Sequence, residues 1–170
     1  MVDNELFYTL AEIAIALAGF AGIAAGLTRG GEVGLTSGER TTLWYLIIDC
    51  LIVLFMSFLP VLLSHSNWAE AEIWTLSVRS LGIIHFVVAL PGLVYVLRNW
   101  KEIRKTWKPI VSLIQLSTVF WSLAIALVLT MASFNYFFMA TQTIFAFGLI
   151  IFLVFASIHF LFLVADQRRV

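Results

Sequence analysis

Residues 98–108 read RNWKEIRKTWK, a strongly basic segment between two long apolar runs. The segment holds five of the ten Lys and Arg residues of the chain, which are Arg98, Lys101, Arg104, Lys105 and Lys108. Lys and Arg near the ends of membrane spans disfavour translocation and stay on the cytoplasmic side. The segment is therefore predicted to be a cytoplasmic loop that joins two membrane-spanning helices.

The composition of the whole chain also predicts a membrane protein. Of its 170 residues 62% are hydrophobic and 12% are charged, whereas soluble domains have roughly 45–50% apolar and roughly 25% charged residues. The sequence contains several long runs of apolar residues. Because lipid offers no partner for backbone polar groups, these runs are expected to form helices. We expect an all-α integral membrane protein with a single transmembrane domain, a bundle of five helices, over residues 1–170. The spans are predicted at about residues 6–28, 41–63, 73–97, 109–132 and 139–165.

The Lys and Arg residues alternate between successive connections. Two follow the first span, five follow the third and two follow the fifth, while the tenth, Arg79, lies within a span. The N-terminal tail and the second and fourth connections carry none. This alternation predicts that the N-terminus lies outside and the C-terminus inside the cell membrane, which in a bacterium is the inner membrane. The first residues, MVDNE, lack the basic character of a signal peptide, so the first span is expected to be retained.

Ionisable residues inside the predicted spans are the first candidates for function. Charged groups are costly in lipid, so they usually face other helices or water and mark ion pathways or polar networks. Glu12 and Arg79 each lie about six residues inside the outer end of their spans, which is about 9 Å deep at about 1.5 Å per residue. We predict an ion pair between them. The alternative is that the Glu12 side chain reaches the outer surface alone.

A second set of polar residues lies deeper in the predicted spans. Asp49 is in the inner half of the second span, where burial favours the neutral form of a carboxyl group. Gln115 and His159 are the polar residues closest to its depth, so Asp49 either exchanges protons with His159 as its neighbour or fixes helix packing. His85 is either a proton relay or a hydrogen-bonded packing residue. The predicted ion pathway or buried polar network therefore comprises Glu12, Asp49, Arg79, His85, Gln115 and His159.

Small residues recur every four positions along the first span, at Ala14, Ala18, Gly22 and Gly26. They share one helix face, and small residues at this spacing let two membrane helices approach closely. The partner is either another span of the same chain or a second copy of the chain.

No sequence motif for nucleotide binding, metal binding or acyl transfer is found. The single cysteine, Cys50, gives no metal-ligand spacing. We therefore expect no enzyme, no cofactor and no metal site. The net charge of zero argues against nucleic acid as a partner. The expected partners are the lipid bilayer, including anionic lipids at the basic segment, and further copies of the chain.

Two functions remain open on the sequence. The first is a homo-oligomeric ion-conducting channel or pore, formed around a symmetry axis because five helices leave little material for a pathway inside one chain. The second is a non-catalytic sensor, effector or accessory subunit that acts by assembly with partner proteins. An intramembrane enzyme acting on lipids would need a nucleophile or a set of metal ligands that the sequence does not show.

The predicted topology can be tested by labelling single cysteines in a Cys50→Ser background. A cysteine at position 67 (Asn67→Cys) should react with a membrane-impermeant thiol reagent on intact cells. A cysteine at position 101 (Lys101→Cys) should react only after the membrane has been permeabilised. Labelling of both positions from the same side would contradict the topology.

Overall fold

The computed structural model of the chain describes residues 4–28, 37–106, 109–136 and 139–166. The regular secondary structure of these residues consists of five helices. They are α1 (Asn4–Thr28), α2 (Ser37–Ser64), α3 (Glu70–Thr106), α4 (Pro109–Ser133) and α5 (Gln142–Asp166). Each contains a stretch that is long and apolar enough to cross a membrane. The prediction of an all-α fold with five such helices is confirmed.

The basic segment is not the loop that the sequence predicted, because α3 continues through it as far as Thr106. Lys, Arg and Glu favour helix formation, and the segment contains no Gly or Pro that would interrupt it. Pro109, which begins α4, disfavours the helical conformation of the residue before it. A cluster of positive charges therefore does not by itself end a helix. Trp107 and Lys108 lie outside the described residues.

Two other helix boundaries depend on residues at the ends of the apolar runs. α5 begins at Gln142, later than predicted, and the Thr141 hydroxyl oxygen accepts a hydrogen bond from the Ile144 N–H at 3.3 Å, as in a helix N-cap. α4 ends at Ser133, and Asn135, two residues later, has a φ of 55°. The Tyr136 N–H then donates to the Met131 carbonyl at 3.1 Å. This is the hydrogen bond of a Schellman motif, in which Asn is one of the tolerated residues.

The helices divide into two compact units, of which unit 1 comprises Met1–Trp68 and Ala146–Val170. Within unit 1, α1 packs against α2. The buried positions of α1 are Phe7, Leu10, Ala11, Ala14, Ala21 and Ala25. They recur at helical spacing, so α1 has one buried face.

The predicted stripe of small residues only partly coincides with this buried face. Ala14 is buried and Ala18 is half-buried, but Gly22 and Gly26 are exposed. A methyl group added to either glycine would meet no atom within 4 Å. Within the described residues of unit 1, these glycines are therefore not the site of a close helix contact.

Unit 2 comprises Ala69–Phe145, and in it α3 packs against α4. The two helices approach closely at Gly82, which is buried. A methyl group on Gly82 would lie 3.1 Å from the Thr130 hydroxyl oxygen and 3.3 Å from the Thr130 backbone nitrogen. Glycine at this position permits the approach, as small residues commonly do between membrane helices.

We predict that Gly82→Ala lowers the free energy of unfolding by about 1–3 kcal/mol, because the added methyl group forces α3 away from α4. The matched control is Gly22→Ala, at a position with open space. There the gain in helix propensity should leave stability equal or higher by about 0.5–1 kcal/mol. Unfolding in mixed micelles, followed by tryptophan fluorescence, measures both effects. Equal stability of the two variants would show that Gly82 does not limit the packing.

Candidate functional site

Asp49 lies on the buried face of α2, within unit 1. It is 3% exposed, and its neighbours along the same face, Leu46 and Val53, are fully buried. The spacing of three and four residues between these positions is the helical repeat that places them on one face. The same periodicity that builds the apolar core thus carries a carboxyl group into it.

His159 of α5 faces Asp49 in unit 1. Its Nδ1 atom lies 3.2 Å from Asp49 Oδ2, within hydrogen-bond distance. The Tyr45 ring, one turn before Asp49 on α2, stacks on the imidazole with ring centroids 5.9 Å apart and an interplanar angle of 25°. The imidazole therefore contacts α2 through both a carboxylate and an aromatic face. The structure thus brings together Asp49 and His159, which were predicted to be neighbours because they lie at similar depths in their spans.

This geometry allows one proton to be shared between the carboxyl group and the imidazole. Either the His159 Nδ1–H donates to an ionised Asp49, or a protonated Asp49 donates to Nδ1. The His159 side chain is 14% exposed and the Asp49 side chain 4% exposed. The pair is thus nearly closed on the Asp49 side and partly open on the His159 side. It can take up or release a proton without either group losing its hydrogen-bond partner.

His85 of α3 lies in unit 2, where it contacts α4. Its Nδ1 atom is 3.3 Å from the Ser122 hydroxyl oxygen. His85 is fully buried and Ser122 is 7% exposed. A serine beside a histidine has the composition of a nucleophile and base, but both groups are closed off from a substrate. The bond links α3 to α4, and both interpretations of His85, as a packing residue and as a proton relay, stay predictions.

Arg79 contacts the end of α4, also within unit 2. Its Nη2 donates to the Ser133 carbonyl at 3.4 Å, and its guanidinium carbon lies 4.9 Å from the centroid of the Phe134 ring. The last carbonyls of a helix attract cations because they carry the negative end of the helix dipole. The aromatic ring adds a cation–π contact. Arg79 remains exposed despite these contacts.

Among the described side chains, those of Glu12, Arg98 and Lys101 take part in neither the Asp49–His159 nor the His85–Ser122 contact. Glu12 is exposed on α1 of unit 1, whereas Arg79 belongs to unit 2, and the predicted Glu12–Arg79 ion pair stays a prediction. The side chain of Gln115 lies outside the described residues. In the basic segment Arg98 and Lys101 are exposed. The side chains of Arg104 and Lys105, like the whole of Lys108, are not among those described.

Sequence reasoning missed Tyr45 and did not connect Ser122 with His85. Tyr45 precedes Asp49 by four residues, so the helical repeat alone places the two on one face of α2. That spacing could have identified it. The partner of His85 depends on how far α4 is shifted along α3, which composition does not determine.

Comparisons with family models, curated proteins and solved structures gave no match for this chain. Within residues 4–28, 37–106, 109–136 and 139–166, no three His, Cys, Asp or Glu side chains come together as a metal site would require. The features of the described residues that bear on function are the buried Asp49–His159 contact and the exposed helix faces.

The contact predicts energetic coupling between Asp49 and His159. We expect the single variants Asp49→Ala and His159→Ala each to lower the free energy of unfolding. The double variant should lose less than the sum, with a coupling of about 0.5–3 kcal/mol. The control is Ser157→Ala, because Ser157 is exposed on α5 and its hydroxyl donates to the carbonyl of Leu153 in its own helix.

Unfolding in mixed micelles measures all of these variants on one scale. The loss in Asp49→Ala/Ser157→Ala should equal the sum of its single losses within about 0.3–0.5 kcal/mol. Additive losses for Asp49 and His159 would show that their contact contributes nothing to stability.

Proposed function

We propose that this chain is a multi-pass membrane protein that assembles as a homo-oligomer and conducts ions. The Asp49–His159 pair would be its protonatable element. The observation that carries the proposal is the buried carboxyl–imidazole contact between α2 and α5. An Asp at the centre of a membrane helix costs about 2.5–3.5 kcal/mol on insertion scales, so intramembrane acids are usually retained for a function.

The proposal places the five helices across the cell membrane, with the N-terminus outside and the C-terminus inside. In its support, each helix has a stretch long and apolar enough to cross. The connections that carry Lys or Arg also alternate with connections that carry neither. If the source is a bacterium, the membrane is the inner membrane. The exposed Arg98 and Lys101 would then lie near anionic headgroups on the cytoplasmic side.

A shared proton suits conduction better than a purely apolar contact would. Gain or loss of the proton changes the charge of the pair, and with it the electrostatic potential experienced by a passing ion. The partial exposure of His159 gives the proton a way in and out. Five helices provide little room for a continuous pathway, so the pathway would lie where several copies meet.

A non-catalytic sensor, effector or accessory subunit is the second candidate. One observation favours it, namely the open space around Gly19, Gly22 and Gly26 on α1. Small exposed residues on a membrane helix are suited to binding another helix. In this case the Asp49–His159 pair would hold α5 against α2 and would conduct nothing.

Flux through purified protein in liposomes distinguishes the two candidates. We expect the wild-type protein to dissipate imposed gradients of at least one of H⁺, K⁺, Na⁺ or Cl⁻. Asp49→Asn should reduce the rate by about tenfold or more, equivalent to about 1.4 kcal/mol in the barrier. The matched control is Glu72→Gln, which neutralises an exposed carboxylate in the first turn of α3. Its rate should equal that of the wild type.

Two outcomes would count against conduction by this route. If the folded, oligomeric wild-type protein carries none of these ions, the accessory function is favoured. If Asp49→Asn conducts at the wild-type rate, the Asp49–His159 pair contributes to packing and not to conduction.

A further inference from the structure

α1 has a second face, opposite to the one that is buried in unit 1. It begins with Glu12, and the helical repeat places Ala16, Gly19, Ile23 and Gly26 along the same face. All five residues are exposed. Methyl groups on Gly19 and Gly26 would meet no atom within 4 Å. We call these residues the acidic face: one carboxylate, followed by small residues with a single larger one among them.

α3 has an exposed face of complementary character in unit 2. It begins with Arg79 and continues through Ile83, Val87, Leu90 and Val94, all of which are exposed. We call these residues the basic face: one guanidinium group, followed by large apolar side chains. The guanidinium has five N–H donors, and the bond to the Ser133 carbonyl occupies one of them.

We propose that the acidic face of one copy of the chain binds the basic face of a second copy, with Glu12 paired to Arg79. The proposal deepens the homo-oligomeric part of the proposed function and depends on its membrane placement. The acidic face of each copy would contact the basic face of one neighbouring copy, and its basic face would contact the acidic face of a neighbouring copy.

Charge is the first argument for this occupant. Each face carries one exposed ionisable group within a candidate membrane span, and the two groups have opposite signs. A charged group in a membrane span normally faces a partner or water rather than lipid. Hydrogen bonds between charged groups are about twice as strong as those between neutral groups, and Arg–carboxylate pairs are often bidentate. A second copy supplies a guanidinium group for Glu12 and a carboxylate for the remaining N–H donors of Arg79.

Shape is the second argument. Successive helices cross a membrane in alternating directions, so the first and the third run in the same direction. α1 of one copy and α3 of another would therefore be parallel. With Glu12 opposite Arg79, the next turns place Ala16 and Gly19 beside Ile83 and Val87. Large side chains on one helix would then fill the space left by small ones on the other, which is how membrane helices obtain close packing.

Symmetry is the third argument. Every copy carries one acidic face and one basic face, so each contact leaves a complementary face available on both partners. Such an interface either occurs twice in a two-fold dimer or runs head to tail around a closed ring. Both arrangements leave no exposed ionisable group on either face.

Cross-linking in membranes tests the contact directly. Two differently tagged chains in a Cys50→Ser background, one with Glu12→Cys and one with Arg79→Cys, are co-expressed and treated with a short thiol-reactive cross-linker. We expect a product that carries both tags and has about twice the mass of the chain. The control replaces Arg79→Cys by Leu127→Cys, which lies at a similar predicted depth on α4 and is 51% exposed.

A charge exchange distinguishes a contact between copies from one within a chain. Glu12→Arg and Arg79→Glu should each lose the oligomer when expressed alone, because like charges then meet at every interface. Co-expression of the two single variants should restore it, since the mixed pair has opposite charges at both contacts. Within any one chain of that mixture the two positions still carry like charges, so a pair inside the chain cannot explain the recovery.

Three results would overturn the proposal. The first is a yield of cross-linked product no higher than in the Leu127→Cys control. The second is an oligomer that survives both single exchanges. The third is recovery only when both exchanges are placed in one chain. Because these experiments measure assembly, an oligomer that carries no ions would leave this interface supported while removing the proposed conduction.

Discussion

A polar side chain on these helices has few polar neighbours, because most adjacent positions are apolar. Several hydroxyl groups donate to a carbonyl one turn earlier in their own helix, as Thr75 does to Ala71 and Thr130 to Ala126. Asp49, Arg79 and His85 instead contact groups on another helix or at its end. These contacts join α2 to α5 and α3 to α4. The positions of these contacts determine which helix faces pack and which remain exposed.

The number and approximate extent of the helices could be predicted from the sequence because runs of apolar residues have one stable form in lipid. The ends of the helices could not be predicted from hydropathy. α3 continues through charged residues because the charge does not interrupt a helix, and Asn135 ends α4 through a backbone conformation that hydropathy does not report. Capping and turn geometry depend on single residues, whereas the spans depend on averages over about 20.

The candidate site was predictable to a similar, limited degree. Asp49 was paired with His159 because the two residues have similar predicted depths in their spans. Residues at the same depth on different helices come into contact when both helices are rotated so that the side chains face each other. The rotation and relative shift of the helices were not predictable, and so Ser122 was not connected with His85. The described contacts of Arg79 could not be predicted either. Its partners are a backbone carbonyl and an aromatic ring at the end of α4, and neither is a charged residue that the sequence would suggest as a partner.

Pro91 lies inside α3 and has no backbone N–H to donate to the helical ladder. The helix has 37 residues and is about 55 Å long, compared with about 30 Å for the hydrocarbon layer of a membrane. The contacts of Arg79 and His85 lie on one side of Pro91, and the positively charged end lies on the other. Proline removes one hydrogen bond from the helical ladder and weakens it at that point. α3 therefore has weaker backbone hydrogen bonding at a position between the part that carries these contacts and its positively charged end.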